Sequence, residues 1–286
     1  MCGSTEIDGY AFCLGIDSLK EFFGARAELQ SLIRSVTYLI RGAIFRTRGL
    51  PKAIGTLGEL IDMYHNHEAT LLHDKVYALL GMSGMNFSDL SNTKLLPNYR
   101  DEWEKFLQRL AKFLLCDKIS VEAWSDKEIA VIKSKGCILG RISLVQNTIS
   151  LDGRQDVDII FKNIPGQLDY KNEWDYKNKW SAHWTLQPSA KPVQDGDLIC
   201  LLQGASTPTI IRLRKDYFVI IMIAASPMET GQSEGEYIKW PKLFARDFLL
   251  LWDWVGEYEA VEPANRRESE HLKKELGGYL DNANRT

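Results

Sequence analysis

Three histidines and an acidic residue lie close together in the sequence, and these residue types can bind a metal ion. His65, His67 and Glu68 are almost adjacent, and His73 follows six residues after His67. The zinc motif His-Glu-x-x-His needs a histidine at position 71, where this chain has a leucine. His65 and His67 would point about 200° apart on a helix, so they cannot share one ion. We therefore predict solvent-exposed histidines beside a helix end, with no metal and no other cofactor.

A second chemical candidate is a nucleophilic serine. Ser83 follows Gly81-Met82 as in the Gly-x-Ser-x-Gly elbow of hydrolases, but Met85 occupies the position of the last glycine. The residues before Ser83 have a helical pattern, whereas the elbow needs a preceding strand. The chain also contains neither Gly-x-Gly-x-x-Gly nor a Walker Gly-Lys-Ser/Thr. The sequence predicts no catalytic residue and favours a non-enzymatic protein over an enzyme whose site is assembled from distant residues.

A nearly exact tandem repeat is the best candidate for a binding element. Residues 169–174 and 175–180 are identical at five of six positions. Its aromatic side chains lie beside lysines and could stack on nucleic-acid bases or sugar rings. The aromatic residues of this candidate binding loop are Tyr170, Trp174, Tyr176, Trp180 and Trp184. Neighbouring acidic residues cancel most of the positive charge, so nucleic acid is disfavoured as a partner. The repeat predicts an exposed loop over residues 165–192 that tolerates insertion.

Composition and charge limit the classes of protein to consider. The chain has 286 residues, 45% of them hydrophobic, which is typical of a globular protein with a sizeable core. Its 35 basic and 38 acidic residues give a net charge of −3, which excludes a generally basic nucleic-acid binder. The five cysteines are widely spaced and predict reduced thiols. The longest strongly apolar run, 217–225, is too short to cross a membrane. We expect a cytoplasmic protein without membrane contact.

The first 118 residues have helical patterns. Capping boxes begin at Ser18 and at Thr56, and they predict a long helix and a shorter one. A short helix is expected over residues 74–80, closed by Gly81 in a left-handed conformation. Another long helix is expected from 99 to 115, with apolar residues at three- and four-residue steps.

After Cys116 the pattern changes to short runs rich in valine and isoleucine, separated by turn residues. These runs cover residues 129–132, 137–145, 157–161, 198–202, 209–213 and 218–223. Because no helical segments separate them, the sequence predicts an α+β protein with a mostly antiparallel sheet or small barrel. The expected divisions are 1–118 (helical), 119–245 (β-rich) and 246–286. The last contains an aromatic run at 248–254, interpreted as core rather than as a docking segment, and a polar C-terminal helix.

The segment from His73 to Gly81 resembles a signature of fungal heterokaryon incompatibility (HET) domain proteins. That signature reads Asp-Lys-Val/Ile-Tyr/Phe-Ala-Leu-Leu-Gly, and as in the family a Pro-x-Tyr element follows at 97–99. Its matching residues here are Asp74, Lys75, Tyr77, Leu79, Leu80 and Gly81. A later β-rich element of the family is similar at Gly196, Asp197, Gly204, Pro208 and Arg212.

The resemblance implies a role in fungal self and non-self recognition through contacts with other proteins. The family's core, similar to Toll/interleukin-receptor-type α/β domains, has no counterpart here. On this basis the chain is expected to be the accessory portion that follows the core, from a truncated gene model or from a relative without a core. No catalytic residue is carried over. Val76, Leu79 and Leu80 are expected to anchor the signature helix in the core.

Overall fold

The structure is a computed structural model that describes residues 7–19, 22, 36–37, 40, 55–65, 67–123, 128–146, 154–162, 179–214, 217–225, 244 and 246–254. These residues form an α+β fold in which helices pack against one large, mostly antiparallel sheet, as the sequence predicted. The predicted C-terminal helix and the first part of the predicted loop, 165–178, lie outside the described residues.

Five helices have both ends within the described residues. They are α1 (Gly9–Ser18), α2 (Leu57–Tyr64), α3 (Asp74–Leu80), α4 (Phe87–Asn92) and α5 (Trp103–Leu114). The capping box before α2 is confirmed, because Thr56 accepts from the Glu59 amide at 3.3 Å and Glu59 accepts from the Thr56 amide at 2.7 Å. The bounds predicted for α3 are also confirmed, and α5 begins four residues later than expected.

Two predictions about helix ends are wrong. Ser18 is the last residue of α1 rather than the cap of a later helix, and its hydroxyl donates to the Gly15 carbonyl at 2.8 Å. Most of the long helix predicted after it lies outside the described residues. Gly81 has φ −65° and is right-handed, because the chain continues from α3 into a right-handed turn. The positive φ comes three residues later, at Gly84, where φ is 71°.

The six predicted runs lie in five strands of the structure, and the described residues form three more. The eight are β1 (Ser120–Ala123), β2 (Ile129–Val145), β3 (Gln155–Lys162), β4 (Lys179–Leu186), β5 (Leu198–Leu202), β6 (Thr209–Arg214), β7 (Tyr217–Met222) and β8 (Arg246–Asp253). The three additional strands are β1, β4 and β8. The runs predicted at 129–132 and 137–145 are one long strand, β2, with register shifts at two positions. Residues 179–186, predicted as part of an exposed loop, form β4.

The pairing of β2 closes a ring of strands. Its first half pairs with β8 and its second half with β5, while β5, β6, β7 and β8 pair in succession. The five strands β2, β5, β6, β7 and β8 therefore close on themselves, and β3 and β4 extend the sheet beyond β2. The β7–β8 pair is parallel and the other described pairs are antiparallel. Closure of the ring leaves these five strands without a free edge.

Two large hydrophobic cores lie on opposite faces of the sheet. Cys200 and Leu202 of β5 belong to the core shared with the helices, while Ile199 and Leu201 belong to the other. Successive strand residues point to opposite faces, so this division follows from the alternation. The aromatic run at 248–254 is mostly core: Phe248, Leu250, Leu251, Trp252 and Trp254 are all buried.

Candidate functional site

The signature helix, α3, makes polar contacts through its first residues and apolar contacts through the later ones. Lys75 forms an ion pair with Glu128, just before β2, and the Lys75 side chain is only 7% exposed. Asp74 accepts a hydrogen bond from the Tyr99 hydroxyl at 2.6 Å. Val76, Leu79 and Leu80 are buried in the core between the helices and the sheet.

The signature also contributes to an aromatic cluster. The Tyr77 ring centroid lies 5.1 Å from that of Phe106 and 5.3 Å from that of Tyr99. His73 and Trp103 join this cluster, with centroids 5.5 Å apart. Edge contacts of this kind between aromatic rings add stability beyond the area they bury. The Pro-x-Tyr element at 97–99 is therefore a direct neighbour of the signature helix.

The second set of signature residues has structural contacts inside the β region. Arg212 donates to the Asp197 carboxylate at 2.7 and 2.9 Å and to the Pro192 carbonyl at 3.0 Å. The Asp197 carboxylate also accepts from the Gln194 amide at 2.8 Å. Both charges are buried, so the pair connects β6 firmly to the turn before β5. Gly196 and Gly204 form turns with φ of 94° and 96°, and buried Pro208 accepts from the Ala225 amide.

A second group of polar side chains, which we call the polar junction, lies where α2 meets the sheet. It consists of Asp62, His65, Gln187, Ser189 and Lys191, all of them buried. The Asp62 carboxyl group accepts from the Ile223 amide at 2.7 Å, the Ala224 amide at 3.3 Å and the Gln187 side-chain amide at 3.5 Å. Asp62 therefore ties α2 to residues more than 120 positions away in sequence.

The backbone of Asp62 strengthens the same attachment. Its carbonyl accepts from the Ala190 amide at 2.7 Å and from the Ser189 hydroxyl at 3.3 Å. The next residue of that segment, Lys191, donates to the Asp253 carbonyl at 2.7 Å, at the end of β8. The segment 187–191 thus lies between α2, the end of β7 and the end of β8.

His65 belongs to this junction, so the prediction of a solvent-exposed histidine is wrong for it. Its side chain is 3% exposed, its Nδ1 donates to the Ile61 carbonyl at 2.9 Å, and its ring meets the Trp254 ring edge-on at 6.0 Å. The turn after α2 folds back onto the core, which the pattern of the helix alone did not reveal. His67 is exposed, as expected.

Burial shifts the two titratable groups of α2 in opposite directions. Desolvation raises the pKa of Asp62 to about 7, and the backbone amides of Ile223 and Ala224 oppose that rise. Desolvation, and after it the charge of Lys191, lower the pKa of His65 to about 4. Removing either group from water disfavours its charged form, so the acid titrates high and the base low.

An acid and a base with displaced pKa values are also what many active sites contain. Here both side chains are almost fully buried, and the described partners of Asp62 come from the protein's own backbone and side chains. Within the described ranges, no group of three histidine, cysteine, aspartate or glutamate side chains could hold a metal ion. The contacts of this arrangement join the helices to the sheet.

One of the five aromatic residues predicted to form a binding loop is buried in the structure. Trp184 is 8% exposed and its ring lies 5.2 Å from that of Phe161, so it is a core residue rather than a stacking platform. Trp180 lies in β4 opposite Phe161. Tyr170, Trp174 and Tyr176 lie outside the described residues. The alternation of Trp180, Ala182, Trp184 and Leu186 with polar residues is the signal that could have identified β4.

The sequence reasoning missed Asp62, Gln187 and Lys191. Asp62 stands between Ile61 and Met63 in an apolar helix, and an isolated acid in such a run is a signal for a buried polar group. Gln187 and Lys191 carry no comparable signal, because they lie in a segment of mixed composition. Their partners come from distant strands, which no local pattern identifies.

Exposed apolar side chains lie on helix α1 and just before it. Tyr10 and Leu14 are 53% and 51% exposed and lie four residues apart, on one side of the helix, and Ile7, which precedes the helix, is 69% exposed. Asp8 caps this helix, since its carboxylate accepts from the Ala11 amide at 2.9 Å. Ile16 is buried, which orients the stripe formed by Tyr10 and Leu14 away from the protein.

No family model, no curated protein and no solved structure matches this chain. Across the part of the chain that the structure describes, no helix is both long and apolar enough to span a membrane.

Proposed function

We propose that this chain is a non-enzymatic accessory region of a HET-type protein, which takes part in fungal self and non-self recognition through contacts with other proteins. The proposal rests on the resemblance of residues 73–81, 97–99 and 196–212 to that family. It is supported by what those residues do: Lys75 pairs with Glu128, and Asp197 pairs with Arg212 inside the fold. Residues devoted to such contacts maintain a scaffold, and the surface of that scaffold is then available to partners.

The observation that carries the proposal is the exposed apolar stripe of Tyr10 and Leu14 on α1, with exposed Ile7 just before the helix. Large apolar side chains in a row on a solvent-facing helix are typical of protein interaction sites. In the family that the chain resembles, the accessory portion follows the core domain. The partner we propose for the stripe is therefore a HET core domain.

Binding to an isolated core domain tests this function. The purified chain is titrated with a recombinant HET core domain, and the heat of binding is measured by calorimetry. We expect binding by the wild type and loss of at least tenfold in affinity, or about 1.4 kcal/mol, in a Tyr10→Glu/Leu14→Glu variant. Leu213→Glu is the matched control, because Leu213 is 59% exposed and lies on strand β6 rather than on α1. Absence of wild-type binding, or equal losses in both variants, would overturn the proposal.

An enzyme is the second candidate, and one observation favours it. Asp62 and His65 are an acid and a base whose pKa values burial moves toward about 7 and about 4. Pairs displaced in this way often carry acid–base catalysis. Catalysis at this position would require the junction to open, since both side chains are at most 3% exposed. Solvent exchange at the Ile223 amide, which donates to Asp62, measures that opening directly; exchange at the global unfolding rate would argue against an enzyme.

A further inference from the structure

The polar junction contains an acid and a base on a single helix, and both are removed from water. Asp62 and His65 lie three residues apart on α2 and its C-terminal turn, and their side chains are 2% and 3% exposed. The described donors to the Asp62 carboxyl group are uncharged: two backbone amides and the side-chain amide of Gln187. His65 donates to a backbone carbonyl. Among the described residues, neither side chain forms an ion pair.

The charged groups that face the pair come from three elements. Glu59 lies one turn earlier on α2, Lys191 belongs to the segment 187–191, and Asp253 ends β8. Lys191 favours ionised Asp62 and disfavours charged His65, whereas Glu59 acts against ionised Asp62 and Asp253 favours charged His65. These charge effects partly cancel, and desolvation outweighs the backbone amides that favour ionised Asp62, so burial decides the charge state of both side chains.

We propose that closing α2 onto the sheet leaves Asp62 and His65 both neutral, so that one proton resides on His65 when the junction is open and on Asp62 when it is closed. In the open state His65 is an imidazolium and Asp62 a carboxylate. On closing, the imidazolium loses its proton to solvent and the carboxylate takes one up from solvent. The number of bound protons is therefore unchanged. This inference goes beyond the proposed function and does not depend on it.

The pH range over which the proton moves between the two groups follows from their pKa values. In an open junction their pKa values are the ordinary ones, 3.8 for the aspartate and 6.5 for the histidine, and in the closed junction they are about 7 and about 4. The raised pKa of Asp62 makes closing less favourable as the pH rises, and the lowered pKa of His65 makes it more favourable. Between about pH 4 and pH 6.5 the two effects oppose each other. In this range the free energy of closing α2 onto the sheet is nearly independent of pH.

Single substitutions separate the two effects. The full chain is unfolded with urea at several pH values, and the unfolding constants of Asp62→Asn, His65→Gln and the double variant are compared with the wild type. Relative to wild type, the unfolding constant of Asp62→Asn should fall about tenfold for each pH unit of increase, because only His65 still titrates. That of His65→Gln should rise about tenfold per unit, and the double variant should follow the wild type. Parallel curves for all four proteins would overturn the proposal.

A measurement on the wild type covers the case in which a variant does not fold. Infrared spectroscopy at a pH midway between about 4 and 6.5 should show the carbonyl band of one buried carboxylic acid. Nitrogen-15 NMR of the His65 ring should show a neutral imidazole protonated at Nδ1, the nitrogen that donates to Ile61. An imidazolium signal for His65, or no protonated buried carboxyl group, would contradict the proposal even if the unfolding data agreed with it.

Discussion

Tyr77 and Asn98 are joined by two hydrogen bonds between the Tyr77 hydroxyl and the Asn98 backbone. The hydroxyl accepts from the Asn98 amide at 3.0 Å and donates to the Asn98 carbonyl at 3.2 Å. The tyrosine belongs to the signature helix α3, and Asn98 is the central residue of the Pro-x-Tyr element. Two motifs that are separate in the sequence are therefore one structural unit, which fixes the approach of the chain to α5.

Removing this hydroxyl should destabilise the protein. We expect Tyr77→Phe to lower the free energy of unfolding by about 1–2 kcal/mol, because the Asn98 amide and carbonyl both lose a partner. Tyr99→Phe is the matched control. Tyr99 is 56% exposed and bonds to Asp74 at the surface, so its change should be below about 0.5 kcal/mol. Urea unfolding measures both, and equal effects would show that Tyr77 does not hold Asn98 in solution.

Leu79 should behave as a core anchor of the signature helix. It is 4% exposed in the core between the helices and the sheet, so Leu79→Ala should cost about 2–5 kcal/mol through lost burial and a cavity. Leu71→Ala, at a residue 51% exposed just before the same helix, should have little effect. The midpoints of thermal unfolding compare the two. If Leu79→Ala kept full stability and lost partner binding instead, the signature would be an interface.

Two glycines of the signature should respond differently to alanine. Gly81 is exposed, has φ −65°, and a Cβ placed there meets no atom within 4 Å, so Gly81→Ala should be neutral or slightly stabilising. Gly204 has φ +96°, and a Cβ there would lie 3.3 Å from the Cys116 Cβ. We expect Gly204→Ala to cost about 1–2 kcal/mol. Chemical denaturation distinguishes them, and a larger loss at Gly81 would contradict the right-handed turn.

Because of the tandem repeat, deleting one six-residue unit should change the free energy of unfolding very little. Deleting residues 175–180 removes the start of β4, but it brings Glu173-Trp174 directly before Ser181 in place of Lys179-Trp180. The tryptophan of the strand is thus restored, and the connection from β3 to β4 is six residues shorter. We expect a change below about 1 kcal/mol, because loop closure depends weakly on length.

Trp184, four residues after Trp180 in β4, provides the contrast to this deletion. Trp184→Ala should cost about 3–5 kcal/mol, since Trp184 is buried against Phe161. Circular dichroism followed through thermal unfolding measures both proteins. A deletion as damaging as Trp184→Ala would mean that the first repeat cannot replace the second in β4.

The buried pair of Asp197 and Arg212 should show strong coupling. Asp197→Ala should cost about 3–5 kcal/mol, because it leaves the Arg212 guanidinium buried without its counter-charge. The double change Asp197→Ala/Arg212→Met should cost less than the sum of the single changes, since it removes both buried charges. Unfolding free energies of the three variants complete the cycle. Additive losses would show that the two side chains do not depend on each other.

Local contacts are what the sequence determined by itself. The capping box of Thr56 and Glu59 and the bounds of α3 were predictable, because their hydrogen bonds join residues three or four positions apart. The strands were predictable from runs of branched apolar residues and the turn residues between them. Composition and element order together predicted an α+β protein, since a run of helices followed by strands without intervening helices leaves few other arrangements.

The tertiary structure alone decided which distant segments meet. The closure of β2 on β8 joins residues more than 100 positions apart, and the bond from Ile223 to Asp62 spans 161 positions. No local pattern specifies such partners, because many strands of similar composition could pair and only mutual burial selects among them. The same reason explains His65: its exposure was predicted from its helix, but its burial depends on Trp254, which the ring of strands brings beside α2.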